Sequence, residues 1–139
     1  VLVIVDRDDD DCLQLKGRLE QMAHKAGLGT RQRQVQGQFQ VINRIAIEEL
    51  EAWFFGDWEA VRAAYPKVDA SVPQRAGYRN PDAIKGGTWE ALERELQKKG
   101  YFKQGLRKLE LARSVASHMD PARNRSQSFC CLRDALAQI

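Results

Sequence analysis

Apolar residues fall first in a short continuous run and then at helical spacing. The run Val1–Val5 is apolar and mostly β-branched, which predicts a strand buried on both faces, as in a parallel sheet covered by helices. From Cys12 to Ala26 apolar residues recur every three or four positions and Gly27 follows, which predicts an amphipathic helix. Residues 39–45 are β-rich and partly alternate, as expected of a second strand. This order indicates two adjacent parallel strands linked by the helix.

The rest of the chain is predicted to be helical apart from one long loop. A short helix closes at Gly56, and Asp57 caps another that ends before Pro66. Residues 66–87 hold all but one of the prolines and show no periodicity, and loops of this length tend to be functional or mobile. Thr88 is predicted to cap the next helix, and Ser126 or Ser128 the last one.

The helical spacing also predicts which apolar side chains face inward. In the first helix they are Cys12, Leu15, Leu19, Met22, Ala23 and Ala26. In the later helices they are Trp89, Leu92, Leu96, Leu106, Leu109, Ala112, Ala116, Met119, Phe129, Leu132, Leu136 and Ile139. The predicted organisation is an α/β core over residues 1–65, a long loop over 66–87, and a helical C-terminal subdomain over 88–139 that packs on the core.

Composition narrows the class of protein. The 139 residues, 43% hydrophobic and 29% charged, suit one soluble globular domain or a fragment of one. No run approaches the roughly 18 apolar residues of a membrane span, and no secretory leader is present, so we expect a cytoplasmic protein without a membrane partner. Three cysteines without metal-ligand spacing and only two histidines argue against a zinc site and a histidine-based triad.

The first strand runs directly into five carboxylates within six positions, residues 6–11. Ligand sites in parallel sheets lie beyond the carboxyl ends of the strands, where Asp6 and Asp8 are expected. Two carboxylates at i and i+2 of an extended chain point the same way, and their repulsion favours a shared hard cation, Mg²⁺ or Mn²⁺. The alternative is a solvated turn in which Asp11 caps the following helix.

A second acidic group follows the second predicted strand. Glu48 and Glu51 are three residues apart and would share one side of a short helix, with Glu49 beside them. Because the carboxyl ends of adjacent parallel strands lie at one edge of a sheet, both acidic groups are expected to meet there. Asp6, Asp8, Glu48 and Glu51 are therefore candidate metal ligands, with Asp6, Asp8 and Glu51 as candidate catalytic residues. The glutamates could equally favour a helix N-terminus.

Charge is distributed unevenly along the chain. Residues 1–60 hold 7 Lys and Arg against 11 Asp and Glu, whereas residues 61–139 hold 15 against 8. An acidic pole for a metal beside a basic pole for phosphates suits a phosphodiester-processing protein. The residues expected to contact nucleic-acid phosphates are Arg107, Lys108, Arg113, Arg123 and Arg125.

Three other interpretations of the acidic turn were weighed. A calcium-binding EF-hand loop requires Gly at its sixth position and Glu at its twelfth; counting from Asp6 these are Asp11 and Gly17, so that pattern fails. A phosphatase with an aspartate nucleophile also begins with a hydrophobic strand and Asp-x-Asp, although Asp9 and Asp10 depart from its usual continuation. A receiver domain needs a later strand for its acceptor aspartate, and no such strand is predicted.

Three stretches together resemble the family called domain of unknown function 4276, a relative of Toprim domains. They are VLVIVDRDDDDC at residues 1–12, NRIAIEELEAWFFGD at residues 43–57 and NRSQSFCCL at residues 124–132. The resemblance implies a Toprim-like α/β core with a small parallel sheet, followed by a helical bundle. It also implies Mg²⁺ binding by Asp6 and Asp8, with assistance from Glu51.

The resemblance further implies a function in nucleic-acid chemistry. Toprim-type domains occur in topoisomerases, primases and nucleases, so we expect a Mg²⁺-dependent nuclease acting on DNA or RNA, in a bacterial defence module with a partner ATPase. In Toprim domains a further Glu precedes the Asp-x-Asp, so we expect that Glu either to be absent or to lie in a missing segment before Val1. The alternative is a non-catalytic module that binds the ATPase.

Overall fold

The first 46 residues form a β-α-β unit in the computed structural model, which describes residues 1–137. Strand β1 (Leu2–Asp6) pairs in parallel with β2 (Ile42–Ala46), with Leu2 opposite Ile42 and Asp6 opposite Ala46. Helix α1 (Cys12–Lys25) connects them, and the Asp11 side chain caps it by accepting from Gln14 N at 2.9 Å. The predicted α/β class and the predicted cap are confirmed, and both strands end at the same edge.

Five helices follow β2. They are α2 (Glu51–Gly56), α3 (Trp58–Ala64), α4 (Thr88–Lys98), α5 (Lys108–Ala116) and α6 (Gln127–Leu136). Asp57 caps α3 and Ser126 caps α6, as predicted. Thr88 is the first residue of α4 and does not act as its cap. Within residues 1–137 no helix is both long and apolar enough to cross a membrane.

The main hydrophobic core lies among α2, α3, α4 and α5 rather than at the sheet. Its fully buried side chains include Phe55, Val61, Leu92, Leu96, Leu111 and Val115. A smaller cluster of Ala46, Ala52, Trp53 and Leu132 joins β2, α2 and α6. The main core therefore combines residues that precede the 66–87 connection with residues that follow it.

The prediction that β1 is buried on both faces is wrong for this chain. Leu2 and Ile4 are 38% and 40% exposed, and Val3 and Val5 are only half-buried. Within the part of the chain that the structure describes, β1 pairs with β2 alone. One strand edge and much of one face consequently remain open to solvent.

Several predicted inward-facing positions are also wrong. Met22, Leu109 and Leu136 are 64%, 65% and 46% exposed, and Ala26 and Ala116 also lie at the surface. On α5 the buried face is formed by Leu111 and Val115, because this is the side that packs against α3. These helices carry apolar residues on more than one side, so their packing partners determine which side is buried. Ile139 lies outside the described residues.

The connection over residues 66–87 is held against the helices. It contains two short 3₁₀ turns, Val72–Gln74 and Pro81–Ala83, and its buried apolar residues are Val68, Val72 and Ile84. Arg75 forms ion pairs with buried Glu95 at 2.8 Å and with Asp69 at 3.3 Å. These contacts order a segment whose sequence shows no periodicity.

Candidate functional site

The acidic turn after β1 is hydrogen-bonded to the segment that follows β2. Arg7 N donates to Ala46 O, and Asp8 N donates to Glu48 O, each at 3.0 Å. These bonds extend the strand pairing beyond Asp6 and Ala46, so the two acidic groups predicted from the sequence do meet at one edge of the sheet.

Asp8 and Glu48 both have left-handed backbones, with φ of +48° and +62°. This conformation is unfavourable for residues other than glycine, and such strain is concentrated at functional sites. Asp8 is therefore not in the extended geometry that the i and i+2 argument assumes. Its carboxylate nevertheless lies close enough to influence Asp6 electrostatically.

The Asp6 carboxyl lies in an unfavourable environment for a negative charge. Partial burial raises its pKa, and the charges of Asp8 and Glu49 raise it further. The backbone N–H of Leu50 and the Lys108 ammonium act in the opposite direction, but the net shift is upward. Asp6 is thus an electrostatically strained carboxyl at the end of a strand.

The three glutamates after β2 have different surroundings. Glu48 forms an ion pair with Arg7. Glu49 Oε2 accepts from Thr88 N at 3.0 Å, Thr88 Oγ1 at 2.8 Å and Trp89 N at 3.0 Å. Glu49 therefore caps α4. The alternative that the glutamates favour a helix N-terminus thus holds for Glu49, but the helix is α4 and not the neighbouring α2.

Glu51 is the most buried of these glutamates, with a side chain 9% exposed. Burial raises its pKa, and the neighbouring Glu49 and Asp6 charges add to the shift. Its own backbone N–H and Lys108 oppose the shift without cancelling it. Asp6, which comes from a different element, is thus close enough to disfavour the charge of Glu51.

One predicted phosphate-contacting residue lies at this acidic edge. Lys108 Nζ is 3.8 Å from Glu51 Oε1 and 4.8 Å from the centre of the Trp89 ring. Its side chain is about half exposed. The edge therefore combines Asp6, Asp8 and Glu51 with one accessible cation.

The other predicted phosphate contacts lie elsewhere. Arg123 forms a bidentate pair with fully buried Asp57, at 2.6 and 3.0 Å, and Arg107 pairs with Glu110. Arg113 is exposed on α5, and exposed Arg125 lies beside Arg123 at the rim of a separate cavity. Only Lys108 of the five lies beside the carboxylates.

The NRSQSF segment forms a buried hydrogen-bond network instead of an open site. Asn124 Nδ2 donates to Trp53 O and Trp53 Nε1 donates to Ser128 Oγ, each at 2.8 Å. Asp82 accepts from the hydroxyls of Ser126 and Ser128 at 2.7 and 3.0 Å. Sequence reasoning missed Asp82, which lies in the long connection without a recognisable motif.

The described residues, 1–137, contain no group of three or more His, Cys, Asp or Glu side chains gathered closely enough to hold a metal ion. Of the remaining acidic-turn residues, Asp10 pairs with Arg18 and Asp9 is exposed. Asp6, Asp8 and Asp9 are thus the carboxyls of the turn that are not taken up by an ion pair or a helix cap, and of these Asp6 and Asp8 are the two that interact electrostatically.

Comparison with known proteins identifies a family and no individual relative. Neither the curated proteins nor the solved structures gave a match. The family model described as "Domain of unknown function (DUF4276)" matches residues 1–137, and this range includes the acidic turn, the glutamate segment and the NRSQSF segment. The chain therefore belongs to the DUF4276 family.

Proposed function

We propose that this chain is a Toprim-related, Mg²⁺- or Mn²⁺-dependent phosphodiester-processing domain, a nuclease acting on DNA or RNA. Asp6 and Asp8 are its proposed metal ligands, and Glu51 assists them. The proposed setting is the cytoplasm, in a bacterial defence module beside an ATPase. The observation that supports this proposal best is that the acidic turn after β1 and the glutamate segment after β2 are hydrogen-bonded to each other at the carboxyl edge of the parallel strands.

The charges at this edge favour a bound cation. Asp6 and Glu51 are ionised with difficulty, because burial and like charges disfavour their carboxylates. Lys108 is a single positive charge against several negative ones. A divalent cation would relieve the repulsion and hold the carboxylates in their charged forms.

The donor set suits a hard cation with an incomplete protein shell. Carboxylate oxygens are preferred ligands of Mg²⁺, which commonly takes one or two carboxylates and completes its shell with water and substrate phosphate. Asp6 and Asp8 would supply two such carboxylates, and water and substrate phosphate would have to complete the shell, because the described residues hold no gathered group of three ligands. The same set would be a poor site for zinc, which favours Cys and His.

Each residue then has a distinct part in the proposed reaction. Asp6 and Asp8 would hold a Mg²⁺ ion, which would supply Lewis-acid stabilisation of the phosphate and lower the pKa of a water bound to it. The Glu51 carboxyl, whose pKa is raised, is suited to accept a proton. The Lys108 ammonium binds a non-bridging phosphate oxygen.

Metal titration tests this proposal directly. Calorimetry with MgCl₂ or MnCl₂ should give saturable binding to the wild-type chain and a loss of about tenfold or more in affinity for Asp6→Asn and Asp8→Asn. Asp9→Asn is the matched control, because it removes the same charge from an exposed residue of the same turn. Cleavage of labelled DNA and RNA should require the metal and disappear in Asp6→Asn.

Binding that is absent from the wild type, or equal in all four proteins, would rule out this metal site. If the protein binds the metal but cleaves neither DNA nor RNA, the proposed metal site is supported and the proposed nuclease activity is rejected.

A non-catalytic interaction module is the second candidate, and the exposed apolar strand favours it. Val1, Leu2 and Ile4 of the open strand are 77%, 38% and 40% exposed, and Leu13 at the start of α1 is 80% exposed. Exposed apolar surface beside the unpaired edge of a strand suits a protein partner, here the ATPase. The metal titration separates the two candidates, because an adaptor needs no metal at Asp6 and Asp8.

A further inference from the structure

A groove lies beside β2, between α1 and α6. Its volume is about 690 Å³, and a second depression of about 430 Å³ adjoins it. The two share four lining residues, Lys16, Arg31, Asn43 and Arg44. Ile45 and Ile47 provide an apolar floor in the larger part.

Three cations from three different parts of the fold converge on this groove. Lys16 lies on α1, Arg31 on the connection before β2, and Arg44 on β2 itself. None of the three is in an ion pair with any carboxylate of residues 1–137, whereas Arg18 and Arg123 are both paired. Converging cations without carboxylate partners indicate an anion-binding surface.

Arg44 is held in place by the fold. Its Nε donates to Cys131 O at 3.1 Å and its Nη1 donates to Asn43 O at 2.7 Å. Its Nη2 has no protein acceptor among the described residues. A guanidinium fixed by backbone carbonyls, with a donor left over, is preorganised for phosphate.

The carboxylates that line the groove are already engaged within the protein. Glu20 accepts from the side chains of Thr30 and Asn43. Asp82 accepts from Ser126 and Ser128, as described above, and Asp134 pairs with Arg133 at 2.8 Å. Glu20 and Asp82 thus have neutral hydrogen-bond partners and Asp134 has an ionic one, whereas Lys16, Arg31 and Arg44 have no carboxylate partner among residues 1–137.

Two residues that line the groove are next in sequence to the two acidic segments of the proposed metal site. Ile47, on the floor of the groove, directly precedes Glu48, and Cys12, on its wall, directly follows the acidic turn. We infer that Lys16, Arg31 and Arg44 bind the phosphates of a single nucleic-acid strand that leads to the Asp6–Asp8 edge. This inference rests on the proposed function and names the path of its substrate.

A single strand suits the groove better than a duplex. Its volume lies in the range of pockets for small molecules, enough for one or two nucleotides. Basic grooves that follow the backbone bind single strands with little sequence preference and with strong salt dependence. Among residues 1–137, none of the side chains that line the two depressions is aromatic, so phosphate contacts rather than base stacking should dominate.

Fluorescence anisotropy with a labelled single strand of about ten nucleotides, in excess chelator, tests the inference without catalysis. The double variant Lys16→Gln with Arg31→Gln should bind about tenfold more weakly, and its log–log salt slope should be smaller by about two. Lys85→Gln with Lys103→Gln is the matched control, because it removes two exposed charges that do not line this groove. Circular dichroism checks that both variants fold.

Equal loss of affinity in the two double variants would overturn the inference, and so would equal retention. If inorganic phosphate or a mononucleotide competes as strongly as the unlabelled oligonucleotide, the groove is a site for a small ligand. The inference that it binds a nucleic-acid strand would then be rejected. The metal titration distinguishes failure of the inference from failure of the proposed function. If the Lys16 and Arg31 double variant binds metal as the wild type does but binds the strand weakly, the phosphate-binding role of the groove is supported. If the wild-type chain binds the strand but no metal, only the proposed function is rejected.

Discussion

Glu51 illustrates how the surroundings of a carboxyl determine its role. The acidic residues around the two strand ends look alike in the sequence, yet each has a different environment. Asp11 caps α1, Asp10 and Glu48 pair with arginines, Glu49 caps α4, and Asp6 and Glu51 have raised pKa values. Only the last two carry an electrostatic penalty that a ligand could relieve.

Glu51→Gln should make the protein more stable at neutral pH. Burial and neighbouring charges raise the pKa of Glu51 in the folded state, so the folded state binds more protons than the unfolded state between the ordinary and the raised pKa. The free energy of unfolding should therefore decrease as the pH rises through that window. Glutamine avoids this loss, so the gain should be present at pH 7 and vanish below the ordinary pKa of glutamate.

Urea denaturation across this pH range measures the effect. Glu59→Gln is the control, because Glu59 is an exposed residue of α3, with a side chain 71% exposed. A Glu51→Gln protein whose stability follows the wild type at every pH would contradict the assigned penalty.

At the scale of elements, two separate segments hold α2 against α6. Trp53 from the IEELEAW segment donates to Ser128 and accepts from Asn124, both of the NRSQSF segment. Gly56 lies so close to Asn124 that an added Cβ would be 2.1 Å from its Oδ1. The burial of Asn124, Ser126 and Ser128 in this network explains why the NRSQSF segment has polar residues at these three positions.

Ser128→Ala should destabilise the protein by roughly 1–3 kcal/mol, because it leaves the buried Trp53 Nε1 without an acceptor and removes a donor to Asp82. Chemical denaturation followed by tryptophan fluorescence measures this change. Ser71→Ala, at an exposed position, should change stability by less than about 0.5 kcal/mol. Similar values for the two variants would contradict the structural role of the network.

At the scale of the whole molecule, the main core links the two halves of the chain. Val61 from α3 is buried with Leu92 and Leu96 from α4 and with Leu111 and Val115 from α5. The 66–87 connection adds Val68, Val72 and Ile84 to the same cluster. Because these residues share one core, we expect the helices on both sides of the connection to unfold together.

Leu92→Ala should lower the free energy of unfolding by roughly 2–5 kcal/mol, since Leu92 is fully buried. Leu109→Ala, at a 65% exposed position of α5, should change it by less than about 0.5 kcal/mol. Thermal melts followed by far- and near-ultraviolet circular dichroism should coincide. Two separate transitions, or equal effects of the two substitutions, would contradict a shared core.

The sequence alone predicted much of the local structure. Hydrophobic spacing located both strands and the helices, and the Asp11, Asp57 and Ser126 caps follow from local hydrogen bonding. Local spacing did not predict which side of a helix is buried. Leu109 and Met22 are as apolar as Leu111, and only the neighbouring elements decide which of them lose contact with water.

The first strand and the acidic turn show what the sequence determines by itself and what depends on the tertiary structure. The sequence by itself determined that a strand ends in an acidic turn and that Asp11 begins a helix, because these features depend on neighbouring residues. Only the tertiary structure decided that β1 stays half-exposed, that Glu49 caps α4, and that Glu51 and Lys108 lie near Asp6. Those contacts join residues far apart in the chain, and burial and Coulomb interactions depend on distances in space.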